Sequence, residues 1–220
     1  DYYFAFGDFW KQAVEFPQSP ERVYSVGYPY YEWNLEKHKD VKKKNQIVFL
    51  SQPIASDSLA RLALELVRDK DNISDIVCKL HPSERKERYS WLAGSGVRVV
   101  EEGEYPLYML FAEPKAQVGM YSTALYEGLG FGLPTYILEA PGSERMQYLL
   151  EHGYARKVGF AEELRTLLHT QEQVQHISGE EFFRRDSLER MAGLAKELCG
   201  YVPCPWCGGT EVTLAQKHFR

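Results

Sequence analysis

The sequence predicts an α/β domain built on a doubly wound parallel sheet, followed by C-terminal helices. Three observations carry that prediction. Short apolar runs recur at 47–50, 75–80, 97–100, 116–120 and 134–138, and uniformly apolar strands are expected where helices cover both faces of a sheet. Stretches of helical periodicity lie between or after them. Strand and helix alternate at a spacing that implies right-handed crossovers, and hence parallel strands.

Taken in order, "RVYSVGYPYYEW" (22–33) reads as a short strand running into a turn marked by glycine and proline, and "NLEKHKDVKKKNQ" (34–46) as a polar linker. Residues 1–45 are therefore expected to be a hinge segment and linker, 46–200 the Rossmann-like domain, and 201–220 a cysteine-containing tail. "IVFL" (47–50) is the first strong strand. "DSLARLALELVRD" (57–69) follows with apolar residues at 59, 62, 63, 66 and 67, one buried helical stripe, and with Ser56 or Asp57 in a cap position. "DIVCKL" (75–80), "VRVV" (97–100), "AQVGM" (116–120) and "PTYIL" (134–138) read as further strands, with helices expected near 83–93, 106–112, 122–131 and 143–152, the last stopped by Gly153. "GEEFFRRDSLERMAGLAKELCG" (179–200) reads as one or two helices, with Asp186 and Glu189 placed as a capping box.

Bulk properties narrow the function classes. The 220 residues can bury one full core, and 44% hydrophobic with 26% charged side chains is ordinary for a globular chain. A balance of 26 basic to 31 acidic residues, net −5, disfavours a nucleic-acid partner. No stretch approaches the roughly 20 apolar residues of a membrane-spanning helix, and "DYYFAFGDFW" lacks the order of a signal peptide. A cytoplasmic location is the default expectation. Four cysteines do not make a disulfide framework for a chain of this size, and Cys78 reads as a buried small residue.

In an open parallel sheet, ligands bind at the carboxyl ends of the strands, where loops meet helix N-termini. Three such loops carry polar residues: "SQP" (51–53, with Ser51 and Gln52), "HPSE" (81–84, with His81 and Pro82) and "YST" (121–123). A helix beginning near Ser122 offers the unpaired amides of its first turn and its positive dipole end to an anion, with the Ser122 and Thr123 hydroxyls as further donors and Tyr121 alongside. Ser122 acting only as an N-cap fits the same residues. Glu127, about one turn on, is placed to accept from a ribose diol or to stand in water as an ordinary glutamate. Gly128, Gly130 and Gly132 suggest a close approach of helix to sheet, or a cap, and do not have the dinucleotide-binding spacing. His81 directly follows a strand, and Pro82 pushes it toward extended geometry. Its imidazole reads as a ligand donor or as a structural histidine. Gly142 and Ser143, after the next strand, are expected as minor contacts. Tyr24, Tyr28, Tyr30, Tyr31 and Trp33 read chiefly as packing aromatics, with stacking on a base or sugar as the alternative.

"HPSE" followed some forty residues later by "GMYSTALYEGLGFGLPTYIL" resembles the histidine-proline and serine/threonine motif pair in the donor domain of bacterial GT-B type glycosyltransferases. The pattern is most like that of the sialyl-, polysialyl- and Kdo-transferases that use CMP-sugars, and of the CDP-glycerol glycerophosphotransferases. "FAFGDFWKQAVEFPQSPERVYSVGYP" (4–29) is similar to their hinge, so the resemblance covers about residues 4–170. It implies a nucleotide-sugar donor, CMP-linked by preference, held through its phosphate by His81, Ser122 and Thr123 and through its ribose by Glu127. It further implies a glycan or glycolipid acceptor, a role in surface polysaccharide or lipooligosaccharide synthesis, and transfer that requires no cofactor. The start at Asp1, where the hinge would begin, suggests a fragment, a processed product or an engineered form. On that reading an N-terminal acceptor half supplies the catalytic base and is missing, and the piece is inactive alone. Peripheral association with the inner face of the membrane follows from a membrane-linked acceptor, although the three lysines of "VKKKNQ" read first as a solvated linker.

"CPWCGG" (204–209) looks like a zinc-ribbon knuckle. Cys204 and Cys207 would be the ligands of a structural zinc, with Cys199 and His218 as the remaining candidates, although neither has ribbon spacing. An incidental tail and a redox pair are the alternatives. Two other functions stay open for the chain as a whole. One is a hydrolysing nucleotide-sugar 2-epimerase, whose corresponding loop tends toward serine-glycine-glycine. The other is a non-catalytic nucleotide- or glycan-binding module.

Overall fold

All five strands expected from the apolar runs form, and a sixth joins them in one parallel sheet. The computed structural model describes residues 1–68, 75–170 and 179–199. It divides into Asp1–Trp33 with the described part of Gly179–Arg220, and Asn34–Ser178. The divisions thus fall at 33/34 and 178/179, where the sequence reading put them at 45/46 and 200/201.

The first unit opens with β1 (Tyr3–Ala5), α1 (Asp8–Ala13), a 3-10 turn (Pro20–Arg22) and β2 (Val23–Ser25), after which α2 (Pro29–Lys37) runs into the second unit. Strands β1 and β2 pair in parallel. The aromatics of this unit pack on one another: Phe6 stacks on Tyr28 at 4.8 Å, and the Tyr31 ring lies 4.3 Å from that of Phe183. Part of the expected linker is helical, because Tyr30–Lys37 contains no helix breaker after Pro29 has set the first turn.

The second unit continues with β3 (Gln46–Leu50), α3 (Ser56–Arg68), β4 (Asp75–Lys79), a 3-10 segment (Lys86–Leu92), β5 (Val97–Val100), α4 (Met109–Ala112), β6 (Ala116–Gly119) and α5 (Thr123–Gly130). Next come β7 (Thr135–Leu138), a 3-10 turn (Ser143–Met146), α6 (Gln147–Glu151), β8 (Arg156–Val158) and α7 (Ala161–Thr170). The strand order is β5-β4-β3-β6-β7-β8, with every pair parallel. This is the Rossmann order, and it reverses between β3 and β6. Ser56 is the first residue of α3 rather than its cap, its hydroxyl donating to the Pro53 carbonyl at 3.3 Å. The stretch near 83–93 is a 3-10 segment broken at Tyr89 (φ −104°, ψ 16°). β1, α1, β8 and α7 have no counterpart among the expected elements.

One face of the sheet packs on α3 and α7: Ile47, Phe49, Ile76, Cys78, Val118 and Tyr136 meet Leu59, Leu62, Leu66 and Leu164 there. The other face takes α5 at very short range. A Cβ on Gly119 would lie 3.0 Å from Leu125, and one on Gly128 only 2.1 Å from the Gln117 side-chain oxygen. The close approach suggested by the glycines is thus real at Gly128, while Gly132 (φ +73°) turns the chain beyond the helix.

The remaining helix, α8 (Ser187–Cys199), belongs to the first unit. The expected capping box of Asp186 and Glu189 is replaced by a carboxylate from far along the chain. Glu32 accepts from the amides of Asp186 (2.8 Å) and Ser187 (3.0 Å), and from the Ser187 hydroxyl. Asp186 has φ +58°, so it lacks the extended backbone of a capping residue. Burial would raise the Glu32 pKa, but these donors outweigh it and hold the group below its ordinary range.

Two glycines therefore predict opposite outcomes. Gly128→Ala should lose about 1–3 kcal/mol in denaturant unfolding, because the added methyl overpacks a buried seam. Gly193→Ala, on α8 with open space around it, should gain about 0.5–1 kcal/mol from helix propensity.

Candidate functional site

The register of the three central strands sets the layout of the carboxyl edge. Leu50 pairs with Lys79 across β3 and β4, and Phe49 with Val118 across β3 and β6. Continued past the ladder, that register puts Gln52 between His81 on one side and Tyr121 on the other, at the point where the strand order reverses. The backbones of His81 and Tyr121 are then two strand spacings apart, about 10 Å. Both belong to the same edge of the same sheet.

On the β6 side, Ser122 is the N-cap of α5. Its backbone is extended (φ −168°, ψ 142°), and its hydroxyl oxygen accepts from the Ala124 amide at 3.2 Å. The capping reading is therefore correct, yet it does not exhaust the residue. An oxygen that accepts from an amide still has its own O–H to donate. The Ser122 carbonyl takes the Leu125 amide at 3.1 Å, and the exposed Thr123 stands at the mouth of the helix. Hydroxyls and dipole end together favour an anion.

On the β4 side, "HPSE" folds into a turn that closes on itself. The His81 carbonyl accepts the Glu84 amide at 2.9 Å, with Pro82 at the turn's second position. The Glu84 carboxylate in return accepts the His81 amide at 2.9 Å and the Tyr89 hydroxyl. Glu84 is 5% exposed, so this clamp is internal. Burial first, and donation to Glu84 second, push the Tyr89 hydroxyl pKa up. The imidazole Nδ1 accepts the Ser83 amide at 3.2 Å and lies 2.8 Å from the Ser83 hydroxyl. A ring nitrogen that accepts carries no proton, so the neutral ring holds its proton on Nε2 and presents it as a donor.

Glu127 is a half-buried carboxylate on α5. One of its oxygens accepts the Tyr108 hydroxyl at 2.6 Å. Burial raises its pKa, and the Tyr108 hydrogen bond opposes the shift. The group is thus half-buried and engaged by Tyr108. Ser51 is nine-tenths buried, its amide donates to Lys79 at 2.9 Å, and its hydroxyl makes no hydrogen bond. Gln52 closes the next turn, its carbonyl accepting from Ala55 at 2.9 Å.

The loop after β7 differs from the expectation of direct contacts through Gly142 and Ser143. The Gly142 amide donates to Glu144 at 2.8 Å and the Ser143 amide to Ala140 at 3.0 Å, so both are engaged within the loop. Gly142 (φ +103°) instead presses on Tyr121, and a Cβ there would lie 2.9 Å from that ring. Tyr108, Glu84 and Arg145 are polar residues of this edge that sequence reading did not single out. Arg145 lay within the loop already noted, and the other two offered no pattern. Cys204, Cys207 and His218 lie outside the described residues, as does the side chain of Cys199. Among the described residues no group of three metal-binding side chains occurs, and no helix is long and apolar enough to cross a membrane.

No protein-family model and no curated protein matches the chain. Solved structures do. The UDP-GlcNAc 2-epimerase of Methanocaldococcus jannaschii, solved with UDP-GlcNAc and UDP, superposes with a TM-score of 0.60 at 16% identity, over 89% of this chain and 61% of that one. The Neisseria meningitidis UDP-GlcNAc 2-epimerase, bound to UDP-GlcNAc, gives 0.60 at 18% identity over 81% of this chain and 57% of that one. The wall teichoic acid polymerase TagF, soaked with CDPG, gives 0.57 at 15% over 90% and 57%. The fold is Rossmann-like and of the GT-B type. The chain spans 57% to 61% of the length of these proteins.

The half-buried carboxylate predicts a pH signature. A carboxyl whose native pKa is raised imposes no penalty while it is protonated in both states, below its ordinary value of 4.5, and an increasing one as pH rises through the native pKa. Glu127→Gln should therefore be more stable than the parent at neutral pH. The difference should vanish in acid when unfolding is followed as a function of pH.

Proposed function

We propose that the second unit binds the nucleotide of an activated donor, and that the intact protein transfers the sugar carried by that nucleotide to an acceptor hydroxyl. The observation that carries this reading is that the register of β3, β4 and β6 brings His81 and the hydroxyl-bearing mouth of α5 to the same carboxyl edge of the sheet. Charge on a leaving phosphate grows as the glycosidic bond to the sugar breaks. Donors fixed in advance on both sides of it lower that barrier, each on the order of 3 kcal/mol by analogy with oxyanion holes. Glu127, steadied by Tyr108, would take the ribose hydroxyls. The base that deprotonates the acceptor lies outside this constellation and is assigned to an acceptor half.

A 2-epimerase is the second reading, favoured by the two epimerases at TM-score 0.60. Against it, the first turn of α5 reads Ser122-Thr123-Ala124, where a serine-glycine-glycine loop is expected. On the transferase reading the donor is CMP-linked by the motif resemblance. The fold similarity to proteins solved with UDP-GlcNAc and CDPG adds uridine and cytidine diphosphates to the panel worth testing. The acceptor is a glycan or glycolipid of bacterial surface polysaccharide, reached from the cytoplasmic side at the membrane surface. A structural zinc held by Cys204 and Cys207 remains part of the proposal. It would appear as stoichiometric metal in the purified chain that is lost on removal of 199–220.

Titration calorimetry with CMP, CDP, UDP and GDP tests the reading. At least one nucleotide should bind, and His81→Ala, or Ser122→Ala with Thr123→Ala, should weaken it about tenfold to a hundredfold, the value of a lost charge-assisted hydrogen bond, while the lost Ser122 cap costs about 1 kcal/mol of stability and leaves the domain folded. Nucleotide affinity that is absent in the parent, or indifferent to these substitutions, removes the site. C2 inversion of UDP-GlcNAc by the chain would move the assignment to the epimerase class.

A further inference from the structure

We infer that Arg145 is a specificity residue for a second anionic group on the donor, beyond the nucleotide's first phosphate. The inference rests on the site proposed above and adds a substrate class to it. The guanidinium of Arg145 lies 4.8 Å from the centre of the Tyr121 ring. That ring also meets the Gly142 backbone, which has room for it only because position 142 carries no Cβ. Tyr121 is thus gripped between a turn and a cation, and the residue after it is the cap of α5. This places a fixed positive charge next to the proposed phosphate site.

The rest of the loop makes no competing claim on that role. The amides of Gly142 and Ser143 are bonded inside the loop. Glu144 accepts the Gly142 amide, and its pKa is held down chiefly by backbone hydrogen bonds from itself and Gly142 and, less, by the charge of Arg145, with which it forms no ion pair. Farther along the edge, Glu139 is paired with Lys157 at 2.6 Å. Arg145 is exposed, its amide donates to the Gly142 carbonyl at 3.2 Å, and its guanidinium makes no hydrogen bond or ion pair among the described residues. A guanidinium held over an aromatic face still has N–H donors to offer and loses less freedom on forming a bidentate contact than a free side chain does. Its matching partner is a planar or tetrahedral oxyanion.

Two donor classes carry such a group: a nucleoside diphosphate through its β-phosphate, and a CMP-linked acidic sugar through its carboxylate. Calorimetry on the full chain with CMP, CDP and CMP-N-acetylneuraminate separates them. The parent should bind one of the two doubly anionic ligands about tenfold more tightly than CMP, and Arg145→Met should remove most of that ratio, since each tenfold corresponds to one strong contact. Tyr121→Leu, which removes the platform and keeps the cation, should reduce the ratio in part. A preference for CDP identifies a β-phosphate reader, and a preference for the acidic sugar identifies a carboxylate reader.

A parent that binds CMP as tightly as both other ligands overturns the inference and leaves the nucleotide site standing, as does a ratio that survives in Arg145→Met. Absence of any nucleotide binding overturns both.

Discussion

Gln117 sits fully buried in the middle of β6. Its amide nitrogen donates at 2.8 Å to the Leu125 carbonyl of α5 and at 2.7 Å to the Thr135 hydroxyl of β7. Thr135 passes the bond on to the Leu133 carbonyl at 3.0 Å. Strand, helix and neighbouring strand are thereby joined by directed contacts where an apolar seam would allow sliding. The arrangement requires glycine at 128, because the Gln117 oxygen occupies the space of any side chain there. The position of the α5 mouth at the carboxyl edge, and with it the geometry of Ser122 and Thr123, follows from this one buried amide.

The site built on that frame is made mostly of donors. His81 presents Nε2–H, Ser122 retains its O–H while capping, and Arg145 adds the charge. The half-buried carboxylate of α5, Glu127, is held by a tyrosine hydroxyl. The proposed nucleotide asks for such an assembly, with donors for an anion at one place and an acceptor for a diol at another. Each of these groups is steadied by a neighbour outside the ligand's reach: Ser83 and Glu84 for His81, Tyr108 for Glu127, Tyr121 for Arg145. Preorganisation of this sort makes a donor effective when charge develops on a leaving group.

The five strands were legible because most of their residues are apolar and buried, with few polar positions such as Gln117, Thr135 and the exposed Arg98 to break the runs. α3 was legible because only one stripe of it is covered. β8 was not: Arg156 and Lys157 are exposed, and only Val158 enters the core. β1 is half-exposed and aromatic, so it showed neither an apolar run nor an alternation. In the site, His81 and Ser122 stand at strand ends next to a proline or a second hydroxyl, and local sequence marks them. The helix cap that sequence assigned to Asp186 belongs to Glu32, and the partner of Glu127 is Tyr108, nineteen positions away. Contacts between distant residues leave no mark in a local pattern. The same holds for Arg145, whose meaning depends on a ring contributed by another strand.

The reversal of strand order also bears on how the protein is made. β3 is the first strand of its sheet to leave the ribosome, and β4 follows after a single helix. Its other neighbour, β6, pairs Ala116 with Ile47, 69 residues later. Closing so long a loop delays that seam relative to local contacts. Until it closes, one flank of a strand that is fully buried in the finished sheet shows unpaired amides and carbonyls, a template on which another nascent chain can anneal. The crevice proposed to hold the nucleotide in the finished molecule thus lies at the seam that closes late during synthesis.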